Sequence, residues 1–310
     1  MDTISDSPAF DIVGIGMSTI DLLKVVEEFP EGEGVTEVIE NRLQGGGPVA
    51  SALVTAAKLG ASAAIVDRIG SDWRGELVRH EYRAAGVDTR FLELEPDRET
   101  TFAAVLVRQR DGARHVIFSP GNFTPLAIDE MPVQAIKRAK VLHLNGRHWP
   151  GCVDAALAIR GAGGLVSFDG GAGRFHERLR ELLPLVDIHI SARDFVANLA
   201  ESDDTGEQLA AMIGLGAKIA AVTDGENGSW FATEEGEVFH QPAFAVEPIV
   251  DTTGCGDVFH GAFLFAHLRG WSVKEAATFA SAAAALNATE LGGRGHLATL
   301  EEIRELIVQG

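Results

Sequence analysis

Only two cysteines, Cys152 and Cys255, occur in the 310 residues. That excludes a disulfide framework and any C-x-x-C metal or redox motif. Basic residues are also scarce: 26 Lys and Arg stand against 45 Asp and Glu, a formal net charge of −19. So acidic a chain suits neither nucleic acid nor an anionic membrane surface, and an anionic substrate must be held by local donors rather than by a global field. No apolar run reaches the roughly 20 residues needed to span a bilayer; the Ala-rich stretch from Ala276 to Ala288 is too short and carries Asn287. Met1 to Ala9 is polar and lacks the basic start and apolar core of a signal peptide, so a soluble, cytoplasmic protein is expected. No lysine precedes Ser or Thr, which removes G-x-x-x-x-G-K-[ST], and neither H-E-x-x-H nor G-x-S-x-G is found. P-loop, zinc-hydrolase and esterase-elbow chemistry therefore have no residues to stand on.

What remains is 46% hydrophobic and contains 35 glycines, as befits a globular α/β enzyme with ample core. Phe10 to Met17 reads as a buried first strand; its Gly14 and Gly16 do not make a dinucleotide motif, because the third glycine is missing and no helix opens directly after. Residues 22 to 42 alternate apolar and acidic positions around Pro30, Gly32 and Gly34, which suits short, partly exposed strands. Pro48 sets the start of a helix from Val49 to Leu59. Strand 63 to 69, helix 73 to 85 and an extended stretch 87 to 95 follow. Segments 101 to 109 and 113 to 119 flank Asp111-Gly112, the strongest hairpin signal in the chain. A hairpin interrupting a β/α series predicts a strand lid outside the main sheet. The β/α rhythm then resumes: strand 141 to 144, helix 152 to 159, strand 165 to 169, helix 177 to 183, strands 188 to 191 and 219 to 223 with helical sequence between, and a hairpin at 229 to 233 and 237 to 241. Three helices close the chain, the last from Leu300 to Val308. Strands separated by helices predict a parallel sheet covered on both faces, with ligands outside the carboxyl ends of the strands. No linker divides the chain, so residues 1–310 are read as one domain.

The most informative stretch runs from Ile249 to Phe263, I-V-D-T-T-G-C-G-D-V-F-H-G-A-F. It predicts a strand end, a tight turn of small residues and the start of an apolar helix. Backbone amides of Gly254, Cys255 and Gly256 would stand at that helix start, where unpaired donors and the macrodipole favour an anion, phosphate above all. Asp257 stands at the same place. Read alone it is a first-turn capping residue; beside a phosphate it would be repelled, which suggests a base placed for chemistry. Cys255 at a helix start could carry a lowered thiol pKa, or be a small residue tolerated in the turn.

The D-T-T-G-x-G-D run followed by Gly261 and Ala262 resembles the C-terminal signature of the ribokinase (PfkB-type) carbohydrate kinase family. The resemblance runs from about Phe10 to Leu297, and G-G-G-P (Gly45 to Pro48), Q-P-A-F (Gln241 to Phe244) and Gly292-Gly293-Arg294 are similar to the branch holding ketohexokinase and sulfofructose kinase. It implies an α/β fold: a three-layer α/β/α, ribokinase-like domain with a Rossmann-like parallel sheet and a small β-sheet lid from about residues 22–42 and 88–119. It also implies an ATP-dependent phosphotransferase with Asp257 as catalytic base and the Gly254-Cys255-Gly256 turn as anion hole. On the sugar side it implies Asp21, Gly46 and Gly47 as binding residues; Asp21 read alone is equally a turn cap. Ser51 stands where ribokinase-like members carry a sugar-contacting Asn, a departure that turns the reading away from ribose itself. Thr223, Gly225 and Gly228 correspond to the nucleotide loop, which read alone is an ordinary turn, and Asn287 to the far wall of the adenine pocket. Asp251, the Thr253 carbonyl and the loop at Gly292 correspond to a monovalent-cation site for K+ or a similar ion. Ser191 and Asp194 replace the family's Asn-x-x-Glu, leaving Asp194 as the candidate Mg2+ residue or an exposed helix-start Asp. Arg147 corresponds to a residue that recognises an anionic group in the sulfofructose kinase branch, and an Arg fork suits sulfonate, carboxylate or phosphate, although the first lid segment offers no matching Lys. His148 and Trp149 beside it are packing residues or a sugar platform.

The expectation is thus a kinase transferring the γ-phosphoryl group of ATP to a primary hydroxyl of a ketose or related furanose. An anionic sugar, such as sulfofructose or a keto-deoxy sugar acid, is the alternative acceptor. A nucleoside kinase lacks a visible base-stacking platform, and a non-catalytic sugar-binding regulator would have no need of Asp257. Exposed lid strands favour a homodimer.

Overall fold

The computed structural model describes residues 10–310; the segment Met1 to Ala9, read above for its lack of a signal peptide, lies outside the described residues. In chain order the strands are β1 (Phe10–Ile15), β2 (Thr19–Val26), β3 (Glu40–Gly46), β4 (Ala63–Gly70), β5 (Asp88–Glu95), β6 (Thr101–Arg108), β7 (Arg114–Ser119), β8 (Ala139–Leu144), β9 (Leu165–Gly170), β10 (Ile188–Ala192), β11 (Ile219–Thr223), β12 (Ser229–Thr233) and β13 (Val238–Gln241). The helices are α1 (Pro48–Lys58), α2 (Trp73–Ala84), α3 (Val133–Lys137), α4 (Gly151–Gly161), α5 (Arg193–Ala200), α6 (Thr205–Gly214), α7 (Cys255–Leu268), α8 (Val273–Asn287) and α9 (Leu300–Gln309).

Nine strands form one sheet in the order β13-β12-β11-β10-β9-β8-β1-β4-β5, parallel except for the β12 and β13 hairpin at one edge. Its inner strands are buried on both faces, which is why β4 (AAIVDRIG), every residue of it buried, reads as mostly apolar sequence rather than as an alternation, whereas the edge strands β5 and β13 are partly exposed. Successive side chains point to opposite layers. On β1, Ile12 packs into the core shared with α1, α7 and α8, whereas Val13 and Ile15 pack into the core shared with α4, α5 and α6. The result is a three-layer α/β/α domain.

The remaining four strands form a separate small sheet, β3-β2-β6-β7, with a buried patch of Leu23, Val25, Ala103, Val105, Val107 and Leu291. The hairpin at Asp111-Gly112 is present as β6 and β7. Residues 88–95 were expected in this small sheet but pair instead with β4 in the large one. The cause is the connection: β4, α2 and β5 make a crossover unit, which returns its second strand parallel to the first in the same sheet. Residues 177–183 are not an α-helix either. They form two short 3₁₀ turns, Glu177–Glu181 and Leu183–Leu185, with Pro184 removing the amide that a continuous ladder would need.

Candidate active site

The turn before α7 is held by Asp251, which is fully buried. Its Oδ1 accepts from the Thr253 amide (2.8 Å) and hydroxyl (2.6 Å), and its Oδ2 accepts from the Gly292 amide (3.0 Å). The Thr253 carbonyl accepts from Asn287 Nδ2 at 3.1 Å. Gly254 caps the helix at φ 70, and a Cβ there would sit 2.3 Å from the Gly293 carbonyl oxygen, so no side chain fits. The first bond of the helix ladder runs from the Val258 amide to the Gly254 carbonyl. The amides ahead of it have no helical partner, and they make the donor set of an anion site. A Cβ on Gly256 would meet only open space.

Asp257 projects from the first turn of α7. Burial raises its carboxyl to about 7, and the neighbouring carboxylate of Asp169 pushes the same way against Arg174, His260 and Arg294. A carboxylate that titrates near neutrality is suited to take a proton at physiological pH. The Cys255 thiol is pushed up to about 11, chiefly by burial, so it stays a neutral small side chain rather than a thiolate.

On the acceptor side, Asp21 lies on β2, opposite Gln44 of β3, and receives a hydrogen bond from Thr19 Oγ1 (3.2 Å). Its carboxylate packs against the backbone of Gly46, where a Cβ would lie 2.1 Å from Oδ2. Burial first, then the charge of Glu81, raises Asp21 to about 6, with Thr19 and Arg294 opposing. Gly47 precedes α1 at φ 99 beside the Met17 carbonyl, and Ser51 is buried in α1. Ser51 does not stand alone. Its hydroxyl accepts from Arg294 Nε (3.2 Å), while Arg294 Nη1 donates to Glu81 Oε2 (3.1 Å) and Nη2 to the Gly46 carbonyl (3.4 Å). Arg294, only 8% exposed, is therefore part of this wall, and sequence reasoning noticed it only as one letter of Gly-Gly-Arg. An arginine in a glycine-rich loop between two helices is its only sequence signal.

Arg147 follows β8 and stacks over Phe123, 4.7 Å from its ring centre. Its Nε lies 3.7 Å from buried Asp67, and Nε and Nη2 are buried without hydrogen-bond partners. His148 and Trp149 are packing residues. His148 Nδ1 accepts from the Leu126 amide (3.0 Å) and Nε2 bonds Asp67 (2.6 Å), while Trp149 lies under Arg178.

A broad cleft of ≈ 1050 Å³ opens on the nucleotide side, lined by Ala192, Arg193, Asp194, Thr223, Asp224 and Gly225 among others. Arg193 Nε pairs with Asp224 (2.8 Å), and Asp194 accepts from the Gly173 amide (2.6 Å). Two expected nucleotide residues do not face this cleft. Gly228 is buried, at φ 84, against the Gln241 carbonyl, where it closes the β11–β12 connection. Asn287 is completely buried and its amide braces the Thr253 carbonyl and the Cys255 sulfur, so it supports the turn from behind.

Asp251, Thr253 and Gly292 are brought together, as expected of a monovalent-cation site. Their donor set of carboxylate and carbonyl oxygens fits a hard cation, with lone pairs remaining beyond the bonds already made. Asp194 offers one carboxylate at the cleft, and among the described residues no group of three or more His, Cys, Asp or Glu could hold a metal. It therefore fits Mg2+ only as one oxygen ligand alongside phosphate and water.

A family model described as pfkB family carbohydrate kinase matches residues 9–300. The chain is 28% identical over 283 residues to an ATP-dependent ribose-1-phosphate kinase of Halopiger xanaduensis, covering 91% of this chain and 93% of that protein. It is 26% identical over 328 residues to a 5-dehydro-2-deoxygluconokinase of Shouchella clausii, with 96% and 95% covered. A crystal structure of an E. coli protein assigned as ribokinase II, in complex with ATP and Mg2+, shares the fold at TM-score 0.84 and 23% identity, covering 97% of this chain and all of that one.

Proposed function

Since the chain belongs to the pfkB family of carbohydrate kinases, we propose that it transfers the γ-phosphoryl group of ATP to a primary hydroxyl of a ketose or related furanose, with Asp257 as the base. The observation that carries this reading is the placement of a carboxyl raised to about 7 at the same helix start as a row of amides with no partner in the helix ladder, of which that of Cys255 reaches only the Thr252 carbonyl, at 3.4 Å. Asp21 and the backbone at Gly46 orient the acceptor hydroxyl. Asp257 removes its proton as the oxygen attacks, and the amides at Gly254, Cys255 and Gly256 receive the charge of the transferring phosphoryl group. Phosphoryl transfer needs positioning and charge stabilisation more than covalent help, and that is what this turn offers. Thr223 and Gly225 line the side from which ATP enters. Asp194 would hold Mg2+ together with phosphate and water, and the Asp251, Thr253 and Gly292 loop would hold a monovalent cation; both ions would neutralise phosphate charge.

A second reading is favoured by Arg147, whose buried Nη2 has no hydrogen-bond partner and whose Nε has only the Asp67 carboxylate at 3.7 Å, so that a substrate oxygen would complete its donors. It makes the acceptor an anionic sugar, in keeping with relatives named for ribose 1-phosphate and for a deoxygluconate. ADP release measured across neutral sugars, sugar phosphates, sugar acids and sulfosugars separates the two; activity on neutral sugars alone removes the second. With any accepted sugar, Asp257→Asn is expected to lower kcat by about 10²–10⁴ while leaving the fold intact. A fully active Asp257→Asn protein ends the assignment.

Association of two copies through the small sheet belongs to the same proposal. Strand β7 is exposed along its whole length, and Val116, Ile117 and Phe118 are 50%, 59% and 62% exposed. An open strand edge with such an apolar surface is a template for pairing.

A further inference from the structure

Beneath Asp257 lies a group of titratable side chains that the mechanism above leaves idle. Strands β8, β9 and β10 are neighbours in the large sheet. They bring His143, Ser167 and Asp169 under α7, where His260 stands one turn beyond Asp257. His189 of β10 points to the opposite face, against Phe168 and Phe195. His143, Ser167, Asp169 and His260 are all buried. His260 Nε2 lies 3.4 Å from Asp169 Oδ1, the His143 and His260 rings are 5.3 Å apart, and His143 Nδ1 bonds Ser167 Oγ (3.1 Å). Two ring nitrogens in this group have no partner, His143 Nε2 and His260 Nδ1. So much unpaired polarity in a core costs stability unless it serves the site above it.

We propose that Asp169 and His260 are positioning residues for Asp257, a buried carboxylate–imidazole pair that sets the pH at which the base can take up the sugar proton. The proposal rests on the reading of Asp257 as that base. Its logic is a balance of charges in a dry pocket. A second carboxylate beside Asp257 makes it hold a proton more tightly, and an imidazole that can carry charge relieves this. Other groups face the pair as well, and Arg174 stands ahead of His260 among those that ease the charge on Asp257. Burial first, then His260 itself, pushes His143 and His189 down to about 3, so both stay neutral. Arg294 is already bonded to Glu81, Ser51 and Gly46, and Arg174 sits on an exposed loop. The Cys255 thiol is neutral. Burial works to raise Asp169, yet it is held below the ordinary carboxylate value, first by His260 and then by Arg174 and His143. It therefore stands ionised beside the base, and the two carboxyls titrate as a pair.

The two partners act with opposite sign, which makes the proposal testable without knowing the sugar. In protein labelled with ¹³Cγ-aspartate and free of substrate, the carboxyl resonance lost in Asp257→Asn identifies Asp257, and its chemical shift is followed from pH 4 to 9. Asp169→Asn is expected to lower the Asp257 midpoint by about one unit and His260→Asn to raise it by a similar amount. If Asp169→Asn does not fold, Asp169→Ser carries the same expectation. Midpoints that stay put in both variants, or move in the same direction, overturn the proposal. The acid limb of kcat/KM, measured with a sugar accepted in the panel above, is expected to follow the same shifts, whereas a merely structural pair would lower kcat with the limb unmoved. Failure of the base itself is distinguishable: an active Asp257→Asn removes the catalytic reading, while the titration still reports whether Asp169 and His260 act on that carboxyl.

Discussion

Asp257 is held in a protonation state that the fold itself resists. Its folded pKa of about 7 stands above the ordinary 3.8, so the folded protein binds a proton more readily than the unfolded chain across that interval. The sign follows directly: the penalty is fully present above pH 7 and disappears as pH falls towards 4. Asp257→Asn should therefore melt higher than wild type at pH 8, by an amount on the order of 1–3 kcal/mol, with the difference shrinking by pH 5. Thermal melts of the two proteins at the two pH values check this; a variant less stable at pH 8 contradicts it. His143 and His189 work in the other sense. With folded values near 3, their contribution is present above the ordinary value of 6.5 and is lost as pH falls from there towards 3. At this scale the sequence is legible where a side chain stands inside a local motif. Asp257, Gly254 and Asp251 announce themselves within seven residues of one another. Arg294 and Asp169 do not, because each reaches the site from a loop or strand distant in sequence. Asn287 is legible as a buried polar residue but not by role, since nothing in a helix of alanines shows which backbone group it braces.

Among the elements, the junction between the 251–254 turn and α7 leaves no room for a side chain at Gly254. Gly254→Ala places a Cβ 2.3 Å from one backbone oxygen and 2.5 Å from Gly293 Cα at a left-handed φ of 70, so the turn must open. A loss of about 1–3 kcal/mol is expected, together with a fall in kcat of at least roughly tenfold, because the amide row moves with the turn. Gly256→Ala is the control: its Cβ meets no protein atom, so the melting temperature should hold while the fit of the phosphate suffers. Melts and steady-state kinetics on both variants test the contrast. Element types are mostly readable here because β/α alternation and the Asp111-Gly112 hairpin are strong local signals. Allocation to sheets is less so. The 88–95 strand was placed in the small sheet because it borders the hairpin, yet β4 and α2 commit it to the large one. A connection decides that, and local alternation carries no information about it.

For the whole molecule, the exposed β7 strand is where the proposed association of two copies would take place. If two copies pair there, Phe118→Lys should convert a dimer to a monomer, with unchanged secondary structure, in sedimentation velocity. A wild-type protein that is monomeric throughout the micromolar range removes the dimer. The large sheet and the cleft above its carboxyl ends follow from the β/α pattern. What the pattern does not show is how the small sheet and the turn before α7 are joined, because that depends on the loop after α8 and on Arg114 of β7, whose Nη1 donates to Thr252 Oγ1 (2.9 Å). Arg42 Nη1 holds the Leu291 carbonyl (3.0 Å), the Gly292 amide holds Asp251, and the Arg294 amide holds Gln44 Oε1 (3.0 Å). Four consecutive residues thus span from β3, beside Asp21, to the turn before α7. In a machine this would be a shared datum: both jaws are dimensioned from one joint, so a displacement of that joint shifts them together and leaves the gap between them unchanged. Under the proposed reaction that gap is the distance between attacking oxygen and phosphorus, and a break in the datum at Arg294 would show as scatter in it before it showed as unfolding.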